Sequence, residues 1–343
     1  MVVARTRENL QSLLESRETV EGMRCPGCKK EQSRVLRIGI SEDPDWPVYF
    51  CKHCRLHYIE PYFSDLREYY RSEYRKSHTE TVGHAIGSPN APEQESVETR
   101  YEVQHFGSKL SAKSFKELVP AGGSVLEIGC SAGGFLSHIV DDYECYGVEW
   151  NPEEAAFVRD VGEVPCEEGE FIDAFPGKKF TAVVARQVFE HVVDPALFLS
   201  QIRDRLIGGG WLFMEMPNAN SALSAVYGIQ PYQRWFYQAP HLTYWEPETL
   251  AHILSAHGFE ARIEPLQRFG LLQAANWMIN GTGVGKLNTS LVNISSPKPV
   301  PLQHPLAPAL NRIWQRLDTE YRVQMKTLGC NDQQRVLSRR IEI

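Results

Sequence analysis

The chain has no apolar run near the roughly 18 residues that would suggest a membrane span. Its opening stretch, Met1-Val-Val-Ala-Arg-Thr-Arg-Glu-Asn9, lacks the apolar core of a secretory signal. Nor is there a secreted-type cysteine framework: eight cysteines fall as two close pairs and four singletons. That pattern argues against disulfides and for a reducing cytoplasm. Basic charge is not in excess; the formal net charge of −7 disfavours nucleic acid as a partner, although a local basic patch is not excluded. Two nucleotide fingerprints are also missing. No G-x-G-x-x-G opens a helix, and Gly283-Val-Gly-Lys286 is followed by leucine with no strand before it, so it is not a phosphate loop. At 343 residues, there is room for one large domain plus an appendage, or for two domains.

What is present centres on Ser124-Val-Leu-Glu-Ile-Gly-Cys-Ser-Ala-Gly-Gly-Phe135. Residues 125–128 form a short continuous apolar run, as a parallel strand buried on both faces does. The chain then breaks into a glycine turn and is expected to open a helix at about Gly134. Gly129, Gly133 and Gly134 permit positive φ and offer no Cβ to block a ligand lying over the turn. N–H groups at the helix start would face that ligand.

Upstream, Cys25-Pro-Gly-Cys28 and Cys51-Lys-His-Cys54 are two knuckles separated by a strand-like stretch, residues 34–40. Two such pairs supply Cys25, Cys28, Cys51 and Cys54 as the four thiolates of a closed tetrahedral zinc site. The intervening gap runs from 29 to 50, slightly beyond the usual spacing, and suits a hairpin ribbon. An amphipathic helix through Leu10, Leu13 and Leu14, or a disordered leader, precedes it. Between residues 58 and 101 the chain is rich in tyrosine. Leu66, Tyr69, Tyr70 and Tyr74 share a helix face, either packed as a connector or closing as a lid over a ligand. Residues 79–99 read as loop.

Downstream runs the alternating rhythm of a doubly wound sheet. A helix over 103–118 delivers the chain to the first strand. Strands are expected at 144–148, 161–165, 180–185, 211–216 and 259–266, with a last one at 335–341. Gly208-Gly-Gly210 is expected to end a helix, and Gly258 to cap the helix over 248–257. Glu149 stands 20 residues past Gly129 (149 − 129), where an acidic strand tip meets a ribose whose nucleotide lies over the first turn.

Together, the 124–135 stretch, Glu149, Phe189-Glu-His-Val-Val-Asp-Pro195 and Gly208-Gly-Gly-Trp211 resemble the motifs of class I S-adenosylmethionine-dependent methyltransferases. The resemblance covers about residues 109–266. It implies an α/β fold: a Rossmann-like, doubly wound, seven-stranded, mostly parallel sheet. It also implies that S-adenosylmethionine is the cofactor, held by Glu127, Gly129, Ser131, Gly133, Glu149, Glu170, Phe171 and Gln187. Glu127 would orient the turn or the ligand amine, Glu149 the ribose, Glu170 and Phe171 the adenine, and Gln187 the methionine part.

The knuckles, tyrosine segment and core together resemble bacterial sugar and glycan methyltransferases. The related C-methyltransferases carry Tyr-x-Glu-His in the acceptor loop. Here Tyr237-Gln-Ala-Pro-His241 lacks that glutamate, which favours a hydroxyl acceptor over carbon. A neutral hydroxyl needs a base, and histidine suits neutral pH. His241 is the first candidate, His191 has a structural or cofactor-side alternative, and Tyr237 is a third. The organisation expected is a zinc ribbon over 1–60, a tyrosine-rich segment over 61–102, the core over 103–269, and an insert plus last strand over 270–343. The insert, with a proline-rich linker at 296–308 and a helix over 309–328, covers the acceptor site or makes a homodimer contact. Three other readings stay open: an rRNA or tRNA methyltransferase gripping through the ribbon, a sugar C- or N-methyltransferase, and a non-catalytic cofactor-binding scaffold.

Overall fold

The computed structural model describes residues 7–74, 96–281, 292–293, 296–297 and 305–341. Most of the loop expected at 79–99, and residues 298–304 of the linker expected at 296–308, lie outside them. Among the described residues, no helix is long and apolar enough to cross a membrane.

Helix α1 (Arg7–Ser16) buries Leu10 against a ribbon of three antiparallel strands, β1 (Ser33–Ile38), β2 (Pro47–Cys51) and β3 (His57–Tyr58). Each knuckle closes the same way. Lys29 and Arg55, each the residue after the second cysteine, take φ of 61° and 66° and return their N–H groups to Cys25 O and Cys51 O at 2.8 and 2.9 Å. Left-handed φ is uncommon outside glycine, and here it turns both thiol pairs toward one point. After the ribbon, Asp65 caps a short helical turn (Leu66–Glu68) that continues as a π-helix over Tyr69–Glu73.

The core is one seven-stranded sheet. Helix α2 (Val97–Leu118), longer at its start than expected, leads into β4 (Ser124–Ile128). Then follow β5 (Glu144–Glu149), α3 (Pro152–Asp160), β6 (Cys166–Glu168), β7 (Phe180–Arg186), α4 (Pro195–Arg205) and β8 (Leu206–Pro217). Three expectations need correction. The strand at 161–165 is a turn, because the N–H groups of Val161, Gly162 and Val164 close the end of α3, and pairing starts only at Cys166. The helix opening near Gly134 is a single 3-10 turn, Leu136–His138. Gly208 to Gly210 end no helix; they lie within β8 as a bulge, where pairing with β7 jumps from Leu206 to Trp211.

Beyond β8 come a π-helix (Ala222–Val226), α5 (Gln230–Phe236), β9 (Thr243–Tyr244), α6 (Pro247–Ala256) and β10 (Phe259–Leu266). Helices α7 (Leu271–Asn280) and α8 (Ala307–Thr327) precede the last strand, β11 (Gln333–Arg340). Sheet order is β10-β11-β8-β7-β4-β5-β6, with β11 antiparallel to both neighbours and the other core pairs parallel. Strand β9 does not join this sheet. It pairs with β3 of the ribbon, Tyr58 opposite Thr243 and His57 opposite Tyr244. Ile40, Val48, Tyr232, Phe236, Tyr237, Tyr244 and Trp277 then share one apolar cluster. The ribbon and the loop after β8 are one body. Helix α8 turns Asn311, Asp318 and Met325 inward and leaves Leu306, Leu310, Ile313 and Leu317 exposed.

Glu215 near the end of β8 ties the sheet to its surroundings. Fully buried, it accepts from Ser111 of α2, Arg186 of β7, Arg335 of β11 and Arg268 of the segment after β10. Burial alone would raise its carboxyl, but Arg186, Arg268, Arg335 and Ser111 outweigh it and hold it down at about 2. Removing one partner from a buried ionic network leaves uncompensated charge. Glu215→Ala is therefore expected to cost about 3–5 kcal/mol of unfolding free energy by denaturant titration; a cost below about 1 kcal/mol would place the network among exposed ion pairs instead.

Candidate functional site

The cleft lies over the C-terminal ends of β4, β5 and β7, where a doubly wound sheet binds its ligands. It encloses about 1110 Å³, above the roughly 300–1,000 Å³ of a typical small-molecule pocket. Glu127, Gly129, Ser131, Glu149, Glu170, Phe171 and Gln187 all line it.

At its floor, Gly129 adopts φ of +66°; Gly133, at +81°, shapes the turn but is not among the cleft-lining residues, and a Cβ there would meet Val158 Cγ2 at 3.1 Å. Gly129 and Cys130 donate to Val148 O at 2.8 and 3.2 Å, which folds the turn back onto β5. A Cβ on Gly129 would stand 2.8 Å from Val188 Cγ2. Gly134 serves a different purpose from the one expected. Its φ is not positive, and a Cβ there would sit 2.5 Å from the His105 backbone nitrogen, so it admits α2 at close range.

Glu149 accepts the Ser131 N–H at 2.9 Å and the Asn151 N–H at 3.0 Å. The carboxylate is fixed at the lip of the turn, and each oxygen keeps acceptor capacity for a hydroxyl. Ser131 Oγ takes the Gln104 side-chain amide at 2.6 Å. Glu127 is 3% exposed; Oε1 lies 3.7 Å from Arg186 Nη1, and Oε2 has no hydrogen-bond partner among the described residues. Burial pushes its carboxyl up to about 8, against the pull of Arg186. A buried orphan acceptor beside the glycine turn suits a ligand ammonium. These residues fit S-adenosylmethionine: a carboxylate for the ribose, an orphan oxygen for the amine, and a turn clear of side chains.

Across the opening lies the tyrosine segment. Arg67 pairs with Glu170 at 2.8 Å and Arg71 with Glu168 at 2.8 Å, while the Tyr70 ring packs 5.5 Å from Trp150. The Tyr70 hydroxyl stands 2.5 Å from His191 Nδ1. Exposed ion pairs contribute only about 0–1 kcal/mol each, so the segment covers the cleft without locking it.

The three candidates for proton removal are placed differently. His191 lines the cleft. Its Nδ1 is 2.9 Å from Pro240 O, and burial lowers its pKa to about 4, so the ring is neutral at physiological pH. His241 lies edge-on to it, ring centres 4.7 Å apart, and is not among the cleft-lining residues. Glu190 is 1% exposed, both oxygens lack a partner, and it offers an oxygen within 4.8 Å of the two imidazoles. Tyr237 is buried, its hydroxyl 2.9 Å from His57 Nδ1, away from the cleft. Burial pushes its phenol upward. Sequence reasoning missed Arg186, Arg268, Gln104 and Glu190 as site residues. Glu190 could have been found from its place beside His191; Arg268 carries no local signal.

The four knuckle cysteines converge. Sγ atoms of Cys25 and Cys54 are 3.5 Å apart, those of Cys28 and Cys51 3.6 Å, and none is in a disulfide. A tetrahedral zinc with sulfurs at about 2.3 Å needs sulfur–sulfur edges of about 3.8 Å. The donor set fits such an ion.

Residues 97–262 match the family described as "Methyltransferase domain". The ubiquinone biosynthesis O-methyltransferase of Azorhizobium caulinodans is similar, 30% identical over 176 residues, which are 46% of this chain and 65% of that enzyme. The chain thus spans less than two thirds of that relative. Among solved structures, similarity extends to a SAM dependent methyltransferase from Archaeoglobus fulgidus (18% identity, TM-score 0.45, 69% of this chain and 94% of that one). It extends also to phosphoethanolamine N-methyltransferase 2 of Haemonchus contortus (17%, TM-score 0.46, 82% and 61%). The seven-stranded, mostly parallel core sheet is of Rossmann-like architecture, and residues 97–262 within it match that methyltransferase domain.

Gly129→Val is expected to abolish calorimetric binding of S-adenosylhomocysteine while leaving a folded protein; retained affinity would mean that the ligand does not lie over this turn. Metal analysis is expected to find one zinc per chain. Cys51→Ser should lose it and lower the melting temperature, because β3 carries β9.

Proposed function

We propose that the chain transfers a methyl group from S-adenosylmethionine to a hydroxyl of a sugar, nucleotide-linked or in a surface glycan, or of a related small molecule. The observation that carries this reading is the neutral imidazole of His191 on the wall of a cleft whose floor suits the donor. When bound, the donor supplies an electrophilic methyl carbon on a sulfonium. Glu149 and Glu127 then hold its ribose and amine, and Tyr70 and Tyr74 close the opening against water. Holding acceptor and methyl in line is worth up to about 7–11 kcal/mol of the barrier. The neutral His191 ring, with Nδ1 set between Pro240 O and the Tyr70 hydroxyl, supplies the lone pair that takes the hydroxyl proton; His241 and Glu190 lie next along the path for that proton. Proton transfer of this kind contributes about 10²–10⁴-fold. The similarity to an O-methyltransferase supports oxygen as the acceptor atom, and the missing glutamate before His241 points the same way. We assign Tyr237 to holding the acceptor loop on the ribbon, and the four cysteines to a structural zinc.

Incubation with methyl-labelled donor against pools of nucleotide sugars, glycans and RNA is expected to label sugar hydroxyls. Label in RNA, or none, would contradict the reading. His191→Ala should lower kcat at least a hundredfold with S-adenosylhomocysteine affinity unchanged, and His241→Ala should lower it by a smaller factor. The pH profile gives a second check. With burial lowering its pKa to about 4, His191 stays unprotonated as pH falls, so kcat should hold through pH 6.5 and decline only as pH nears 4. An acidic limb centred at 6.5 would exclude it as the base.

A further inference from the structure

Three guanidinium groups meet at Glu215, and one carboxylate cannot neutralise all three. Arg186 Nε is 3.2 Å away, Arg268 Nη2 3.0 Å, and Arg335 Nε and Nη2 2.8 and 2.7 Å. Of the other acidic groups nearby, Glu190 acts on Arg268 through space, with no hydrogen bond between them among the described residues. Glu127 stands 3.7 Å from Arg186 and faces the donor turn. Glu264 is 4.0 Å from Arg335 and pairs with Arg262. Asp332 directs its oxygens to the N–H groups of Arg268 and Phe269 and to the Gln267 amide.

Arg335 is 8% exposed and spends Nη1 on Ser114. Arg186 and Arg268 instead line the cleft. Arg186 gives Nε to Glu215 and Nη1 to Ser108, and its Nη2 meets no acceptor among the described residues. Arg268 gives only Nη2; its Nε and Nη1 meet none. Anchored at one edge by a shared carboxylate, the two forks keep donors in the geometry that binds carboxylate or phosphate oxygens. The chain as a whole carries −7, so this positive wall is local rather than part of a general basic surface.

Position separates the Arg268 end of the wall from the donor turn, while Arg186, on β7 beside β4, stands 3.7 Å from Glu127 and borders both. Glu215 is on β8, two strands from β4, or about 10 Å at the usual strand spacing. Arg268 reaches in from beyond β10, on the side away from Glu149. The cleft volume leaves space there for a second ligand.

We propose that Arg186 and Arg268 form an oxyanion subsite that takes a carboxylate or phosphate group of the acceptor. This rests on the reading that the cleft holds S-adenosylmethionine beside its acceptor. It narrows the acceptor to an acidic molecule, such as a nucleotide-linked sugar or a sugar acid, over a neutral one. The donor's own carboxylate shares this chemistry, and the test separates the two sources.

Arg268→Gln removes one fork while Arg186 and Arg335 remain on Glu215, so the buried carboxylate is not orphaned; an unchanged melting temperature checks this. Pyrophosphate is titrated by calorimetry into protein saturated with S-adenosylhomocysteine. Wild type is expected to bind it and Arg268→Gln at least tenfold more weakly, with Arg268→Lys between them and cofactor affinity constant. Suppose instead that Arg268→Gln weakens S-adenosylhomocysteine tenfold but leaves 5′-methylthioadenosine, which lacks the amino-acid part, unaffected. The subsite then serves the donor, and the acceptor assignment is overturned. Equal pyrophosphate binding by wild type and variant, or no binding by either with cofactor affinity unchanged, overturns the subsite itself. Failure of wild type to bind S-adenosylhomocysteine would strike the donor reading instead.

Discussion

A single buried carboxylate, Glu215, holds together the parts of the protein that meet at the cleft. It joins β8 to β7 through Arg186, to β11 through Arg335, to α2 through Ser111, and to the segment after β10 through Arg268. These contacts span more than 200 residues of chain, from Ser111 to Arg335. Desolvating a carboxylate is costly, and its retention requires that several donors converge on it. That convergence ties four elements together beside the cleft. It also leaves two of its guanidinium groups, Arg186 and Arg268, lining the cleft wall.

A second constraint is the pairing of β3 with β9. It makes the cysteine ribbon a structural support for the loop after β8 rather than an independent module. Tyr237 and His57 join their side chains across the two parts, and Arg55 pairs with Glu246 beside them. Thr249 of α6 adds a hydrogen bond to Cys54 O at 2.7 Å. The knuckles therefore bear on the wall that carries Pro240 and His241, which fixes the neighbour that His191 leans on. A four-cysteine cluster far from the cleft can set the position of His191 in this way.

Local patterns in the sequence carried much of this. The buried run before Gly129, the acidic tip at Glu149, the strand Phe259–Leu266 and the two cysteine knuckles depend on near neighbours, and spacing rules reach them. Features built from distant contacts were not legible. A two-residue strand such as β9 has no periodicity of its own, and its partner lies about 180 positions away. Tyr237 looked like a site residue because its loop was correctly located, yet only the fold shows its hydroxyl against His57. Gly134 looked like a turn glycine because nothing local shows that α2 crosses it.

The central claim is that the donor lies over the Gly129 turn with its amine on Glu127 and its ribose on Glu149. A crystal structure of the complex with S-adenosylhomocysteine tests this most directly. The account predicts both ribose hydroxyls within hydrogen-bond distance of the Glu149 carboxylate, the amino group on Glu127 Oε2, and the tyrosine segment closed above the nucleoside. A ligand bound elsewhere, or one that leaves Glu127 Oε2 without a partner, would contradict it.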